Sequence, residues 1–281
     1  MMTTYEVVDR VRRSTLPTLA LLLAVGAPVG LYFGFHHVVR SRVFLVNEVE
    51  VEGLVELERD AVLAAASLTA GCGRVLDLGA GVGGISLCIA RRLSGVHVTA
   101  VEIDPVAAAL ARYNVAVNGL DQQVRVVDAD ITAMPAMLAD SFDHVISNPP
   151  YHHKAGTRPR HAARAMAHMG ADTDLHDWVK AAVWAAKPRG RISFICRADR
   201  AAELIGLFDR AGAGETLLFP LWSRPMSPAS RVIIQLRKAV RGPGAILPGL
   251  IVNNDDGSFT EAAQHIMKGG GLYMVHPARA K

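Results

Sequence analysis

The stretch Val75-Leu76-Asp77-Leu78-Gly79-Ala80-Gly81-Val82-Gly83-Gly84 carries an apolar strand through a glycine turn into a helix, and its reading decides the fold. Glycines are needed there because the backbone has to turn sharply and come close to a bound nucleoside, with the amides of a helix N-terminus aimed at it. Read literally, Gly79-x-Gly81-x-x-Gly84 also satisfies the dinucleotide fingerprint. The turn alone therefore does not identify the cofactor.

Outward from that turn, short runs of Val, Ile and Leu alternate with helical stretches, the pattern of βα units and a mostly parallel sheet. Seven strands are expected, at Arg74 to Leu78, His97 to Ile103, Gln123 to Val127, His144 to Ser147, Arg191 to Cys196, Thr216 to Pro220 and Arg231 to Leu236. Helices are expected at Gly84 to Leu93, at Pro105 to Val117 with Asn118-Gly119 closing it, and at Asp174 to Lys187 before Pro188. Ser258-Phe-Thr-Glu261 reads as a capping box opening a short helix through Met267, ended by Gly269 to Gly271.

A chain of 281 residues with 51% hydrophobic content can bury a full core, which excludes general disorder. The net charge of +4 and a pI near 9.1 favour an anionic partner only mildly. Cys72, Cys88 and Cys196 stand in no metal or redox spacing and read as reduced thiols. Leu16 to Phe35 is an uncharged apolar run of about the length a membrane-spanning helix needs. Arginines flank it on both sides, so the charge rule gives no orientation. A membrane-associated helix, a signal peptide and a buried leader are the three readings of residues 16–35.

Glu102 closes the second strand in Val-Glu-Ile-Asp, where an acid can accept both hydroxyls of a ribose. A nicotinamide enzyme would share that acid, but it gives no reason for Asp77 in the first strand together with Asp130 just after the third. The motif with the sharpest chemistry is Ser147-Asn148-Pro149-Pro150-Tyr151. An amine conjugated to a ring or carbonyl is a poor nucleophile because its lone pair is delocalised. The Asn148 side-chain oxygen and the Pro149 carbonyl, each accepting one N–H, would localise that lone pair. Pro149 and Pro150 stiffen the presentation, and Tyr151 offers a flat face for stacking an unpaired base.

Together, Leu-Asp-Leu-Gly-Ala-Gly-Val-Gly, Val-Glu-Ile-Asp, Asp-Ala-Asp-Ile and Ile-Ser-Asn-Pro-Pro-Tyr resemble the class I, Rossmann-like S-adenosylmethionine-dependent methyltransferases of the small-domain type. Within these the chain is most similar to the bacterial tRNA(Val) adenine-N6 methyltransferases, over roughly residues 56–275. The resemblance implies an α/β fold with a seven-stranded sheet and helices on both faces. The expected organisation is an apolar leader at 1–42, which is foreign to that family, a methyltransferase domain at 43–240 and a C-terminal extension at 241–281. S-adenosyl-L-methionine is the implied cofactor, held by Asp77, Gly79, Gly81, Gly83, Glu102 and Asp130, with Asn148, Pro149, Pro150 and Tyr151 as the catalytic set. The front departs from the family, since Asp60-Ala-Val-Leu63 is present but Val43 to Glu58 is acidic.

The basic loop after the motif supplies Lys154, Arg158, Arg160 and Arg164 to neutralise phosphates beside the target base. No metal is expected, because His152 and His153 have no partner at ligand spacing. Trp178, Trp184 and Trp222 read as packing residues. The sequence thus points to adenine N6 methylation in RNA, tRNA first, by a monomer in the cytoplasm, with membrane association through residues 16–35 an open reading. A release-factor-type glutamine N5-methyltransferase and a non-catalytic S-adenosylmethionine binder are the alternatives.

Overall fold

In the computed structural model, residues 56–68, 71, 73–150, 174–272 and 274 are described. The chain divides into two units, Met1–Leu45 and Val46–Lys281, and every described residue lies in the second. The apolar leader, Tyr151 and the loop carrying Lys154, Arg158, Arg160 and Arg164 lie outside the described residues.

Helix α1 (Glu56–Ala66) precedes β1 (Arg74–Leu78), α2 (Gly84–Arg92), β2 (His97–Glu102), α3 (Pro105–Val117), β3 (Val124–Asp128) and β4 (Phe142–Ser147). After the basic loop come α4 (Leu175–Ala185), β5 (Ala186–Arg197), α5 (Ala201–Arg210), β6 (Ala213–Trp222) and β7 (Ala229–Lys238). The chain ends with β8 (Ala245–Ile246), β9 (Leu250–Ile251) and α6 (Glu261–Met267).

The sheet has nine strands in the order β3-β2-β1-β4-β5-β7-β6-β8, with β9 also on β6. Strands β1 to β5 are parallel and β7 is antiparallel to both its neighbours. The expected count of seven is corrected by β8 and β9, which add to the β6 edge as two-residue pairings. Two residues are too few to show the alternation by which a strand is recognised. The other seven lie where the Val, Ile and Leu runs put them: β1 has the expected bounds, β2 ends one residue early, β3 is shifted by one residue, and β4, β5, β6 and β7 are longer.

Parallel strands are covered on both faces, which is why these runs are nearly continuous in apolar residues. One face, with Val75, Val98, Ala100, Ile146, Ile195 and Ile233, packs against residues of α1, α2, α3 and α6. The other, with Leu76, Leu78, Val101, Val145 and Phe194, packs against α4 and α5, where Phe194 meets Phe208 edge-on at 5.0 Å between centroids. In the interior, Gln235 Nε2 donates to Ser193 Oγ at 3.1 Å, which itself lies 2.8 Å from His144 Nε2. Burial, and then the charge of Arg191, push His144 down to about 3, so the ring is neutral.

The helix ends explain themselves locally. Asp104 accepts from Val106 N at 2.9 Å with Pro105 following it, as the sequence indicates. The last helix is capped by Thr260, which accepts from Ala263 N at 3.1 Å, and not by Ser258. The Ser258 hydroxyl and amide are taken by Asp256 Oδ1 at 2.6 and 2.9 Å, an Asx turn that competes with capping. Helix α4 stops at Ala185, short of Lys187, because Ala186 already pairs with Phe142 of β4. Cys196 is buried and carries a free thiol.

Candidate active site

The glycine turn sits where β1, β2 and β4 end together. Leu78 is in register with Val101 on one side and Ser147 on the other, and Gly79 N and Ala80 N both donate to Val101 O, at 2.9 and 3.0 Å. Ser147 Oγ donates to Leu78 O at 2.8 Å and ties the start of the Asn-Pro-Pro segment to the turn. Gly79 and Gly81 hold φ of +68° and +57°, a region that favours glycine. A Cβ at Gly79 would stand 2.3 Å from the Trp178 ring of α4, so Trp178 packs on the turn. A Cβ at Gly81 would meet nothing within 4 Å among the described residues, so that side is open with respect to them. Gly83 is the N-cap of α2, and Asn114 of α3 braces the turn by donating to Val82 O at 2.9 Å.

Two acids face this turn in different environments. Glu102 is mostly buried. Its Oε2 accepts from Gly81 N at 2.7 Å, and its Oε1 from Ile103 N and Asp104 N, both at 2.9 Å. Three amides fix the carboxylate across from the turn, and Oε2 keeps acceptor capacity of the kind a ribose hydroxyl uses. Asp77 is fully buried; its Oδ2 accepts from Ser86 Oγ at 2.7 Å, while Oδ1 has no hydrogen-bond partner among the described residues. Burial raises its pKa to about 7 against the opposing bonds from Ser86, and the charge of Glu102 adds to the rise. An orphaned carboxylate oxygen under a turn with open space at Gly81 suits a bound group carrying N–H donors and positive charge. The residues present therefore fit S-adenosylmethionine, with Glu102 at the nucleoside and Asp77 beneath the turn.

Asn148 follows β4 directly and is half-buried, Pro149 is buried and Pro150 exposed. Asp130 stands past β3, where its Oδ1 accepts from Thr132 N and Thr132 Oγ1, both at 2.8 Å. Its neighbour Asp128 is engaged by Arg112 of α3. The structure thus brings Asp77, Gly79, Gly81, Gly83, Glu102, Asn148 and Pro149 to one end of the sheet, with Asp130 two strands from β1. Asp174, His176 and Asp177 bring three ligand-type atoms within 4.8 Å of one another, but Asp174 is already the α4 cap, accepting from Asp177 N. Ser86, Asn114 and the Asp60–Arg231 pair, at 3.0 Å, were not singled out from sequence. Ser86 alone had a local signal, a hydroxyl in the first turn after the glycines.

The sheet, the glycine turn and the acid closing β2 define a Rossmann-like α/β domain. Residues 58–177 match the family model "Methyltransferase small domain". The chain is 30% identical over 135 residues to the tRNA1(Val) (adenine(37)-N6)-methyltransferase of Haemophilus influenzae, covering 48% of this chain and 57% of that protein. It is 35% identical over 124 residues to the release factor glutamine methyltransferase of Chlorobaculum tepidum, covering 43% and 41%. The chain thus matches only about half the length of these two curated relatives. A solved structure described as a predicted O-methyltransferase from Agrobacterium tumefaciens superposes with a TM-score of 0.63 at 26% identity, covering 76% of this chain and 98% of that one.

Proposed function

We propose that the protein transfers the methyl group of S-adenosylmethionine to the exocyclic N6 amine of an adenine in RNA, with tRNA as the first substrate. The observation that carries this reading is the juncture of β1 and β4: Ser147 Oγ bonded to Leu78 O sets Asn148-Pro149-Pro150 beside the glycine turn. Amine holding and nucleoside binding then share one end of the sheet. The names of the relatives that methylate adenine 37 of a tRNA support the same substrate.

S-adenosylmethionine supplies an electrophilic methyl group on a sulfonium. The Gly79–Gly83 turn and Glu102 grip the nucleoside, with Asp77 below and Asp130 toward the adenine side. The Asn148 side-chain oxygen and the Pro149 carbonyl accept the two N–H bonds of the target amine and localise its lone pair, Pro150 stiffens the segment, and Tyr151 stacks on the base. Holding nitrogen in line with the methyl supplies much of the rate, and no covalent intermediate is required. The amine proton leaves to solvent after transfer. Lys154, Arg158, Arg160 and Arg164 bind flanking phosphates.

The domain that does this is residues 43–240 with the extension 241–281 packed on it, acting as a monomer in the cytoplasm where cofactor and tRNA occur. Among the described residues no helix is long and apolar enough to cross a membrane.

A second reading, methylation of a glutamine side-chain amide in a protein, is favoured by the 35% identity to a release factor glutamine methyltransferase. Its acceptor also presents two N–H bonds on a conjugated nitrogen. Incubation with methyl-labelled S-adenosylmethionine and separate pools of tRNA, rRNA, DNA and protein decides between them. Label in tRNA, recovered as N6-methyladenosine, is expected; label in protein alone overturns the proposal.

A further inference from the structure

Across β5 and β7, Arg197 stands directly opposite Arg231. Two residues further in, Ile195 and Ile233 form the next pair of the same parity, and both belong to the apolar layer under α1 and α2. Side chains alternate along a strand, so both arginines belong to that face. The register Ser147↔Phe194 sets the end of β5 beside the Asn-Pro-Pro segment. Adjacent strands lie about 4.8 Å apart. Arg197 is therefore one strand, and Arg231 two strands, from the acceptor site along the C-terminal rim of the sheet.

Like charges directly opposite across two strands repel, and among the described residues each of the two arginines meets an acid. Arg197 donates from Nε and Nη2 to the two oxygens of Asp199, at 3.0 and 2.7 Å. Arg231 Nε donates to Asp60 Oδ2 of α1 at 3.0 Å. The Arg197–Asp199 pair is exposed, at 39% and 51%. Such a pair contributes little in water, and a phosphate matches the guanidinium fork equally well. Further along the same rim, the β6–β7 connection carries Arg224 and a fully exposed Met226. That hairpin is fixed by Asn253 N donating to Ser223 O at 3.1 Å and by Ser223 Oγ lying 3.1 Å from Ser230 Oγ.

We propose that Arg197 and Arg231, with Arg224 on the β6–β7 hairpin, form a phosphate-binding rim that holds the RNA strand flanking the acceptor base. The site lies on the side of Asn148 away from the glycine turn, and it rests on the reading that the acceptor lies in RNA. Arg197 exchanges Asp199 for a phosphate, Arg231 stays braced by Asp60 while facing the strand, and Arg224 takes the next phosphate.

The test is equilibrium binding of a labelled tRNA1(Val) transcript to the full chain saturated with S-adenosylhomocysteine, between 50 and 200 mM salt. A single-strand phosphate contact contributes about 0.7 to the log–log salt slope. Arg197→Ala should lower the slope by about 0.7, so that this fourfold salt rise costs the variant about 2.6-fold less than wild type. Arg197→Ala with Arg224→Ala should lower it by about 1.4, or about sevenfold. Arg231→Gln, which keeps a donor for Asp60, should act like Arg197→Ala, whereas Arg197→Lys should keep the slope. S-adenosylhomocysteine affinity, measured alongside, should be unchanged in all. If wild type methylates the transcript and every variant keeps its slope, the rim is wrong and the RNA reading stands. If wild type neither binds nor methylates RNA, the RNA reading fails and takes the rim with it.

Discussion

Gly79→Ala and Gly81→Ala should fail in different ways, although they lie two residues apart and share a left-handed backbone. For a residue with a Cβ that backbone costs about 1–2 kcal/mol. At Gly81 nothing else is met within 4 Å among the described residues, so that is the whole stability loss. At Gly79 the new carbon would lie 2.3 Å from one Trp178 ring carbon and 2.9 Å from another. Overpacking adds about 1–3 kcal/mol, for a total of about 2–5 kcal/mol, a large share of the roughly 5–15 kcal/mol that holds a domain together. Urea unfolding of both variants reads the stability, and calorimetry with S-adenosylhomocysteine reads the site. Gly79→Ala should lose stability first. Gly81→Ala should stay folded and lose cofactor affinity, because its methyl enters the open side of the turn. Trp178→Phe should relieve part of the Gly79→Ala penalty, as a coupling of about 1–3 kcal/mol in the double-mutant cycle. Equal stability of the two alanine variants, or zero coupling to Trp178, would refute the packing of α4 on the turn.

Three further outcomes follow from the buried groups and the leader. Asp77 has its folded pKa raised to about 7, so the folded state binds the extra proton and stability falls as pH rises from about 4 to 7. Asp77→Asn should melt higher than wild type at pH 8 and lose that advantage near pH 4; an advantage equal at both pH values would contradict this. His144, held down at about 3, makes the protein lose stability as pH falls below the ordinary histidine range, because only the unfolded chain takes the proton. His144→Gln should flatten this acid limb of a Tm-against-pH curve, and an unchanged limb would count against it. A chain starting at Val43 should keep the urea midpoint and the turnover of the full chain, and a folded but inactive truncation would assign the leader to the substrate site.

Much of this was legible in the residues because the decisive signals are local. Seven strands announced themselves through continuous apolar runs, and α3 through Pro105 and Asn118. What stayed hidden depends on tertiary partners. Strands β8 and β9 exist only because β6 offers an edge. Helix α5, which carries Gly206 in its middle, was not among the expected helices although its stretch is amphipathic. Ser258 and Thr260 both suit a cap, and only the Asx turn at Asp256 decides between them. In the site, Glu102 and the glycines were readable from spacing, whereas Arg231 meets Asp60 across 171 residues. The orphaned oxygen of Asp77 depends on what the fold packs around it, which no local pattern carries.

The central claim is that Asn148 makes the acceptor nitrogen reactive. Single-turnover methylation of tRNA by Asn148→Ala, beside a cofactor binding curve, tests it most directly. Losing one acceptor at the amine, by analogy with losing one oxyanion-hole donor, should slow turnover roughly 100- to 1,000-fold. Cofactor affinity should hardly move, because the proposed nucleoside grip lies at Glu102 and the glycine turn, on β1 and β2, and not at Asn148. A variant that keeps more than about a tenth of the wild-type rate, well short of that expected loss, would contradict amine activation at this motif.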